Sequence, residues 1–201
     1  MADNLQQSSI KNKTHDCIEE LKVKQLKRLF FVSDASKLCK LRYPRHKNGC
    51  PNIIENLHHD STYPKHPECP PYAMNLNKKY DLSKPSFFCY AKFNIEKQAK
   101  NMKKKHPEWT ELQCRCCYYW QKSVKKTLRE KCQDFSLRYS ASGRDEGKLF
   151  VEAGKQKRLF FELVPEAMGL HVFKTAADIG IFLERNPQNY VYKIAFMGVL
   201  K

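Results

Sequence analysis

The chain of 201 residues has no long hydrophobic run, few acidic residues and none of the common nucleotide-binding motifs. No stretch approaches the roughly 18 consecutive apolar residues that a membrane span requires. The first residues, MADNLQQSSIKNKT, lack the apolar core of a secretory signal. We therefore expect a cytoplasmic protein with no membrane partner.

The scarcity of acidic residues also limits the enzyme classes. Asp and Glu total only 21, and no two of them form an evident acid–base pair. A P-loop, a Rossmann glycine pattern and a nucleophile elbow are absent too. The sequence therefore leaves open whether the protein is an enzyme.

Basic residues, in contrast, are abundant, and the formal net charge is +16. Such a charge is typical of proteins that bind polyanions such as nucleic acid. However, 28 of the cations are lysine and only 9 are arginine, and arginine is the residue that binds phosphate and guanine in bidentate fashion. A lysine excess is also typical of a solvated surface, so the charge alone does not favour a nucleic-acid partner.

The chain contains nine cysteines, a high and odd number for a cytoplasmic protein. A reducing compartment keeps thiols free and available to metals. Some of these cysteines need no function, because free cysteine is often buried in a core. Metal binding nevertheless explains the count better than disulfides do.

We predict an α+β protein: a single compact domain with a small β-sheet, a long central helix and a Pro/Cys-rich metal-binding loop region. Residues 1–14 are expected to form a disordered tail, and residues 15–201 the single α+β metal-binding domain. The aromatic-rich, alternating segment 86–95 predicts a strand, and segment 190–200 predicts an end strand. Cys89, within the first of these strands, is interpreted as a core residue.

Helical spacing appears in three further segments. Residues 16–32 predict a helix that leads into a short strand. Residues 107–131 predict the long central helix, with the following buried stripe: Trp109, Leu112, Cys116, Trp120, Val124 and Leu128. Pro165 is expected to open a helical segment that Gly180 closes, and residues 136–164 are expected to form a β-hairpin region.

The segment 39–79 has a different composition, with six prolines that exclude long helices and central strands. Loops of this length are uncommon in a compact domain unless they are functional or tied down. Three cysteines within the loop are the candidate ties: Cys39, Cys50 and Cys69. It also holds four histidines, which are interpreted either as nitrogen ligands or as polar loop residues: His46, His58, His59 and His66.

We predict that Cys39, Cys50 and Cys69 hold a metal cofactor, because thiolates favour iron–sulfur clusters, zinc and copper(I). Cys50 and Cys69 each precede proline, which stiffens the backbone around the sulfur and also occurs in cluster-binding runs. The intervals between the three cysteines match no standard ligand pattern. The favoured hypothesis is an iron–sulfur cluster of the 4Fe–4S type, with one iron open to a small molecule or redox partner.

Zinc, in a structural site, is the alternative metal. Such sites use cysteine pairs with two to four residues between them, and the chain offers only Cys114 and Cys117 at that spacing. Within the predicted helix Cys116 faces the core, Cys117 lies at its edge and Cys114 points outward. Cys117 is therefore a candidate fourth metal ligand, although a packing role explains it better.

Two segments carry a resemblance to a known family: GCPN at 49–52 followed by CPPY at 69–72, and PEAMGLHVFKTAADIGI at 165–181. With Cys39 upstream, they resemble an uncharacterised family of predicted metal-binding proteins, domain of unknown function 2284. The resemblance covers about residues 30–200. It implies thiolate metal binding, in an anaerobic or archaeal-type setting, through Cys39, Cys50 and Cys69, and it implies no particular reaction.

One feature departs from that family. Many of its members carry a second cysteine cluster just before the EAMG segment. Here residues 133–164 contain no cysteine, so the resemblance implies a single metal site.

Overall fold

The computed structural model describes residues 16–35, 69–70, 72–141, 158–184 and 187–201. Its four strands are β1 (Ile18–Gln25), β2 (Phe87–Asn94), β3 (Leu159–Glu162) and β4 (Tyr190–Val199). Its α-helices are α1 (Leu76–Lys79), α2 (Ile95–Lys105), α3 (Glu111–Cys114), α4 (Gln121–Ala141) and α5 (Val172–Asp178). Short 3-10 helices lie at Cys117–Tyr119 and Pro165–Met168.

The four strands form one antiparallel sheet in the order β1-β2-β4-β3. Cys89 of β2 lies opposite Val23 of β1 on one side and Ala195 of β4 on the other. Helices and this small sheet share one compact arrangement, which confirms the α+β prediction. The predicted strands at 86–95 and 190–200 are both confirmed.

Successive side chains of a strand point to opposite sides of the sheet. Both faces of this sheet carry buried side chains, each packed against a different set of elements. On the face that we call the helix face, β2 contributes Phe87, Cys89, Ala91 and Phe93. Helix α4 covers this face with Val124, Leu128 and Cys132, and Trp120 adds its ring just before the helix begins. The prediction that Cys89 is a core residue is confirmed, since the residue is fully buried.

On the opposite side, which we call the loop face, β2 contributes Phe88 and Tyr90. It is covered by short segments rather than by one helix. Their buried side chains are Leu76, Tyr80, Met168, Leu170, Val172, Ala176 and Ile181. The loop region that carries the candidate cysteines returns to the fold on this face.

The helix predicted over 16–32 is wrong: the segment forms strand β1, which pairs along its length with β2. The pairing register shifts between Ile18 and Glu20. This irregularity places Ile18, Leu21 and Val23 against the helix-face core. The uneven spacing of these residues resembles that of a buried helical stripe, but pairing with β2 makes the segment a strand.

The long helix predicted over 107–131 is correct in its second half only. Thr110 and Gln113 form a capping box that starts the separate helix α3, with the Gln113 backbone N–H donating to Thr110 Oγ1 at 3.3 Å. Helix α4 then begins at Gln121 and extends to Ala141. Leu112 is therefore 74% exposed instead of buried.

The β-hairpin predicted over 136–164 is wrong at its start, because residues 136–141 complete α4. Strand β3 pairs with the distant strand β4. The helical segment expected from Pro165 to Gly180 is present but interrupted. Gly169 adopts a φ of +85° and ends the first 3-10 turn, and Gly180, at +75°, follows the end of α5.

Within the described ranges, none of the helices is both long and apolar enough to traverse a bilayer.

Candidate metal centre

Cys69 is the one member of the predicted thiolate triad that lies among the described residues. The backbone N–H groups of Tyr72 and Ala73 both donate to the Cys69 carbonyl oxygen at 3.0 Å. Pro70 is buried and Cys69 is half-buried, so the sulfur lies in a tight turn at the surface. Cys39 and Cys50 lie outside the described residues, as do the four loop histidines and the tail predicted over 1–14.

The two ends of the cysteine-rich segment converge on Gly169. The Val32 backbone N–H donates to the Gly169 carbonyl oxygen at 3.0 Å. A Cβ placed on Gly169 would lie 3.4 Å from Asn75 Oδ1 and 3.7 Å from the Val32 carbonyl oxygen. We call Val32, Asn75 and Gly169 the loop neck. Val32 and Asn75, which flank segment 33–74, are thus brought together at the PEAMG turn.

The departing end of this loop is held by α5 and the residues before it. The His171 backbone N–H donates to the Phe30 carbonyl oxygen at 2.7 Å. The Phe30 backbone N–H donates to the buried Thr175 hydroxyl at 3.3 Å. Arg28 Nη2 donates to Asp178 Oδ1 at 2.6 Å. These contacts fix the direction in which the chain leaves β1.

The returning end is held by the core and by the end of β4. Leu76 and Tyr80 are almost completely buried on the loop face. The Lys201 backbone N–H donates to the Lys79 carbonyl oxygen at 3.2 Å, and the Asp81 N–H donates to the Val199 carbonyl oxygen at 2.9 Å. The chain that follows Cys69 is therefore tied to the sheet.

A polar cluster beside this anchor also has a structural role. The Tyr80 hydroxyl donates to Glu162 Oε1 at 2.8 Å, and Lys79 Nζ donates to the same oxygen at 2.5 Å. Burial, reinforced by the Glu162 carboxylate, raises the pKa of Tyr80. The tyrosine therefore stays protonated and serves as a buried hydrogen-bond donor.

The predicted orientations of Cys114, Cys116 and Cys117 are wrong because the chain turns between α3 and α4. Cys114 is the buried residue, at 2% exposure, whereas Cys117 is exposed and Cys116 is half-buried. Trp120, which follows Cys117, stacks on Phe93 of the helix face with ring centroids 4.6 Å apart.

The residues that anchor Cys69 pack on the loop face, where Tyr80 contacts Phe196 with ring centroids 5.1 Å apart. The chain that follows Cys69 is thus held on the loop face, whereas the chain that follows Cys117 is held on the helix face. The prediction that Cys117 completes the ligand set gains no support from this placement.

Three further cysteines are core residues. The thiols of Cys89 and Cys132 share a hydrogen bond, which together with burial raises the pKa of Cys132. Burial also raises the pKa of Cys17, whose thiol donates to Gln98 Oε1 at 3.7 Å. Protonated, buried thiols are poor metal ligands and poor nucleophiles. The spacing of four residues from Val124 to Leu128 to Cys132 was the sequence signal for this packing role.

Among the described residues, no three histidine, cysteine or acidic side chains cluster as metal ligands. The described part of the chain therefore positions the entry and exit of the cysteine-rich loop, together with Cys69.

Comparison with known proteins adds no relative. No protein-family profile matches the chain, and neither the curated proteins nor the solved structures include a significant match. The resemblance based on GCPN, CPPY and PEAMG therefore stays a prediction.

Proposed function

We propose that this protein is a cytoplasmic metal-binding protein that holds an iron–sulfur cluster through Cys39, Cys50 and Cys69. The loop neck is the observation that supports the proposal. It closes the segment that contains these cysteines, with Cys69 at its returning end. Closing a loop by tertiary contacts removes conformational entropy that metal binding would otherwise have to overcome.

The donor set fits a thiophilic metal. Cys50 and Cys69 each precede proline, and Cys69 lies in a hydrogen-bonded turn. Three thiolates leave one iron of a 4Fe–4S cluster open to an external ligand, which is the arrangement that Lewis-acid chemistry uses. The protein's own contribution is to position the three sulfurs and to limit the access of solvent.

A structural zinc site is the alternative. The same three thiolates would then be joined by a loop histidine or by Cys117, and the metal would only organise the Pro-rich loop. The two proposals differ in colour, in sulfide content and in the number of metal ions.

The test is metal and acid-labile sulfide analysis of the full chain purified without oxygen. We expect a brown protein with about four irons and about four sulfides per chain. Cys50→Ala should lose most of the iron. Cys117→Ala is the matched control: it removes an exposed cysteine whose following chain, at Trp120, packs on the opposite face, and it should retain full iron content.

Each other result has a definite meaning. A colourless protein with one zinc would overturn the cluster and support the structural site. Wild-type protein with neither metal, or Cys50→Ala with full iron, would overturn thiolate binding altogether. Far-ultraviolet circular dichroism of Cys50→Ala should match the wild type, because the four strands and α4 are built from other parts of the chain.

A further inference from the structure

A row of aromatic rings lies at the surface between α2 and α4. His106 stacks on Trp109 with ring centroids 4.0 Å apart and an interplanar angle of 11°. Trp109 packs on Tyr119 at 5.0 Å, and Tyr119 meets Tyr118 edge-on at 5.6 Å. We call these four residues the aromatic strip. It ends one residue before Trp120, which is buried in the helix-face core.

The strip is accessible from solvent. Tyr118 is 83% exposed and Tyr119 is 42% exposed, and the neighbouring Leu112 is exposed as well. Large apolar side chains grouped at a surface mark an interaction site more often than single exposed ones do. These rings contribute little to the core, so packing does not explain their grouping. The grouping therefore indicates a surface that binds a partner.

Backbone contacts hold the strip in place before any partner binds. The Trp109 N–H donates to the His106 carbonyl oxygen at 3.0 Å, and Lys103 Nζ donates to the Trp109 carbonyl oxygen at 2.6 Å. The Tyr119 N–H donates to the Cys116 carbonyl oxygen at 3.3 Å. A pre-formed surface loses less entropy on binding than a mobile one.

The surroundings of the strip are strongly basic. Between residues 103 and 126 there are seven lysines and arginines but only two acidic residues, Glu108 and Glu111. Glu111 is paired with Arg115 at 2.9 Å, and Glu108 lies 3.7 Å from the His106 ring.

Three exposed lysines flank the strip: Lys104 and Lys105 before it and Lys122 after it. None of the three has an ion-pair or hydrogen-bond partner among the described residues. The partner that complements this surface is therefore negatively charged and carries flat rings.

We propose that the aromatic strip and its flanking lysines bind single-stranded nucleic acid. Bases would stack on Tyr118 and Tyr119, and phosphates would contact Lys104, Lys105 and Lys122, which is the arrangement used by sequence-tolerant single-strand binders. An acidic peptide would use the lysines but leave the rings unexplained. A duplex keeps its base faces stacked inside the helix and out of reach.

This surface also gives the lysine excess a role. Arginine is needed for bidentate recognition of guanine, whereas stacking recognises any base through its ring face. Lysine then supplies only charge, and sequence preference is expected to be weak.

The test measures binding of fluorescent oligonucleotides to the full chain by anisotropy. Short single-stranded RNA, single-stranded DNA and a duplex of the same sequence are the three probes. We expect either single strand to bind more tightly than the duplex, with an affinity that falls as salt rises. A preference for RNA would indicate a contact to the 2′-hydroxyl group.

Tyr118→Ala should weaken binding of the single strands by about 5- to 150-fold, in line with the loss of one stacked base. Because Tyr118 is largely exposed, this change should leave the thermal unfolding curve unchanged. Phe182→Ala is the matched control, since Phe182 is 78% exposed but lies outside the strip.

Lys104→Gln should weaken binding and reduce the salt dependence by about one unit of slope. Lys78→Gln removes an exposed lysine of α1 on the other side of the sheet and should do neither. Equal binding of duplex and single strand, or unchanged affinity in Tyr118→Ala, would overturn the proposal. So would binding of anionic vesicles or acidic peptides without binding of the oligonucleotides.

Discussion

The two faces of the sheet are covered in different ways. A single helix of 21 residues, α4, covers the helix face. The loop face is covered by α1 with four residues, a 3-10 helix with four and α5 with seven. Isolated helices shorter than about 12 residues are marginal in water. The loop face therefore depends on tertiary hydrogen bonds and buried anchors for its local structure.

The cysteines near the two faces also differ in how deeply they are buried. Cys17, Cys89 and Cys132 pack in the helix-face core, where burial raises the pKa of Cys17 and contributes to the raised pKa of Cys132. Cys69 lies half-exposed in a turn beside the loop face. Residue type alone therefore does not assign a role to a cysteine. Position relative to the core decides whether a thiol packs or is available to a metal.

The largest expected effects come from one truncation on each face. Leu128→Ala and Leu76→Ala each remove a buried leucine and should lower the free energy of unfolding by about 2–5 kcal/mol. Only Leu76 anchors the returning end of the cysteine-rich loop. We therefore expect Leu76→Ala also to reduce bound metal, and Leu128→Ala to keep it.

Urea unfolding of both variants measures the first effect, and metal analysis of the folded protein measures the second. Equal metal loss in the two variants would show that the loop face has no special connection to the site.

A smaller effect is expected from the two left-handed glycines. Gly169→Ala and Gly180→Ala both force a side chain into a positive φ, at a cost of about 1–2 kcal/mol. A Cβ on Gly180 would meet nothing within 4 Å, whereas one on Gly169 would touch the loop neck. Thermal unfolding should therefore show a similar loss of stability for both variants, while metal content should fall only in Gly169→Ala.

If both glycine variants bind metal as the wild type does, the neck closes the loop without positioning its ligands.

The smallest effect concerns alkaline pH. Burial, with a contribution from Glu20, raises the pKa of Tyr90 on the loop face to about 12. Since the unfolded value is about 10, the folded state holds the proton more tightly. Stability from this group is present below about pH 10 and is lost as pH rises towards about 12.

Tyr90→Phe should remove this part of the loss of stability at alkaline pH. The variant also loses the hydrogen bond to Glu20, which is worth about 0.5–1.5 kcal/mol at neutral pH. Tyr139→Phe on α4 is the comparison variant: burial alone raises the pKa of Tyr139, so this change should remove a share of the decline to which no carboxylate contributes. Unfolding midpoints across the alkaline range compare the variants. A decline in Tyr90→Phe as steep as in the wild type would contradict this account.

Local pattern was sufficient for the central elements of the fold. The alternation in 86–95, the apolar end strand at 190–200 and the stripe from Trp120 to Leu128 all predicted what the structure contains. In each case one element buries a face whose period is set by its own backbone geometry. The same local information marked the cysteine-rich segment as unusual but did not show where its ends lie.

Tertiary contacts decided the remaining features. Pairing with β2 makes β1 a strand. The register shift in this pairing hides the alternation of apolar residues, so the sequence pattern did not reveal the strand. Stacking of Trp120 on Phe93 accompanies the division of the predicted long helix, which leaves Tyr118 in solvent. Gly169 joins two distant parts of the chain at the loop neck. Each feature depends on a contact between residues far apart in sequence, and spacing along one segment carries no information about such contacts.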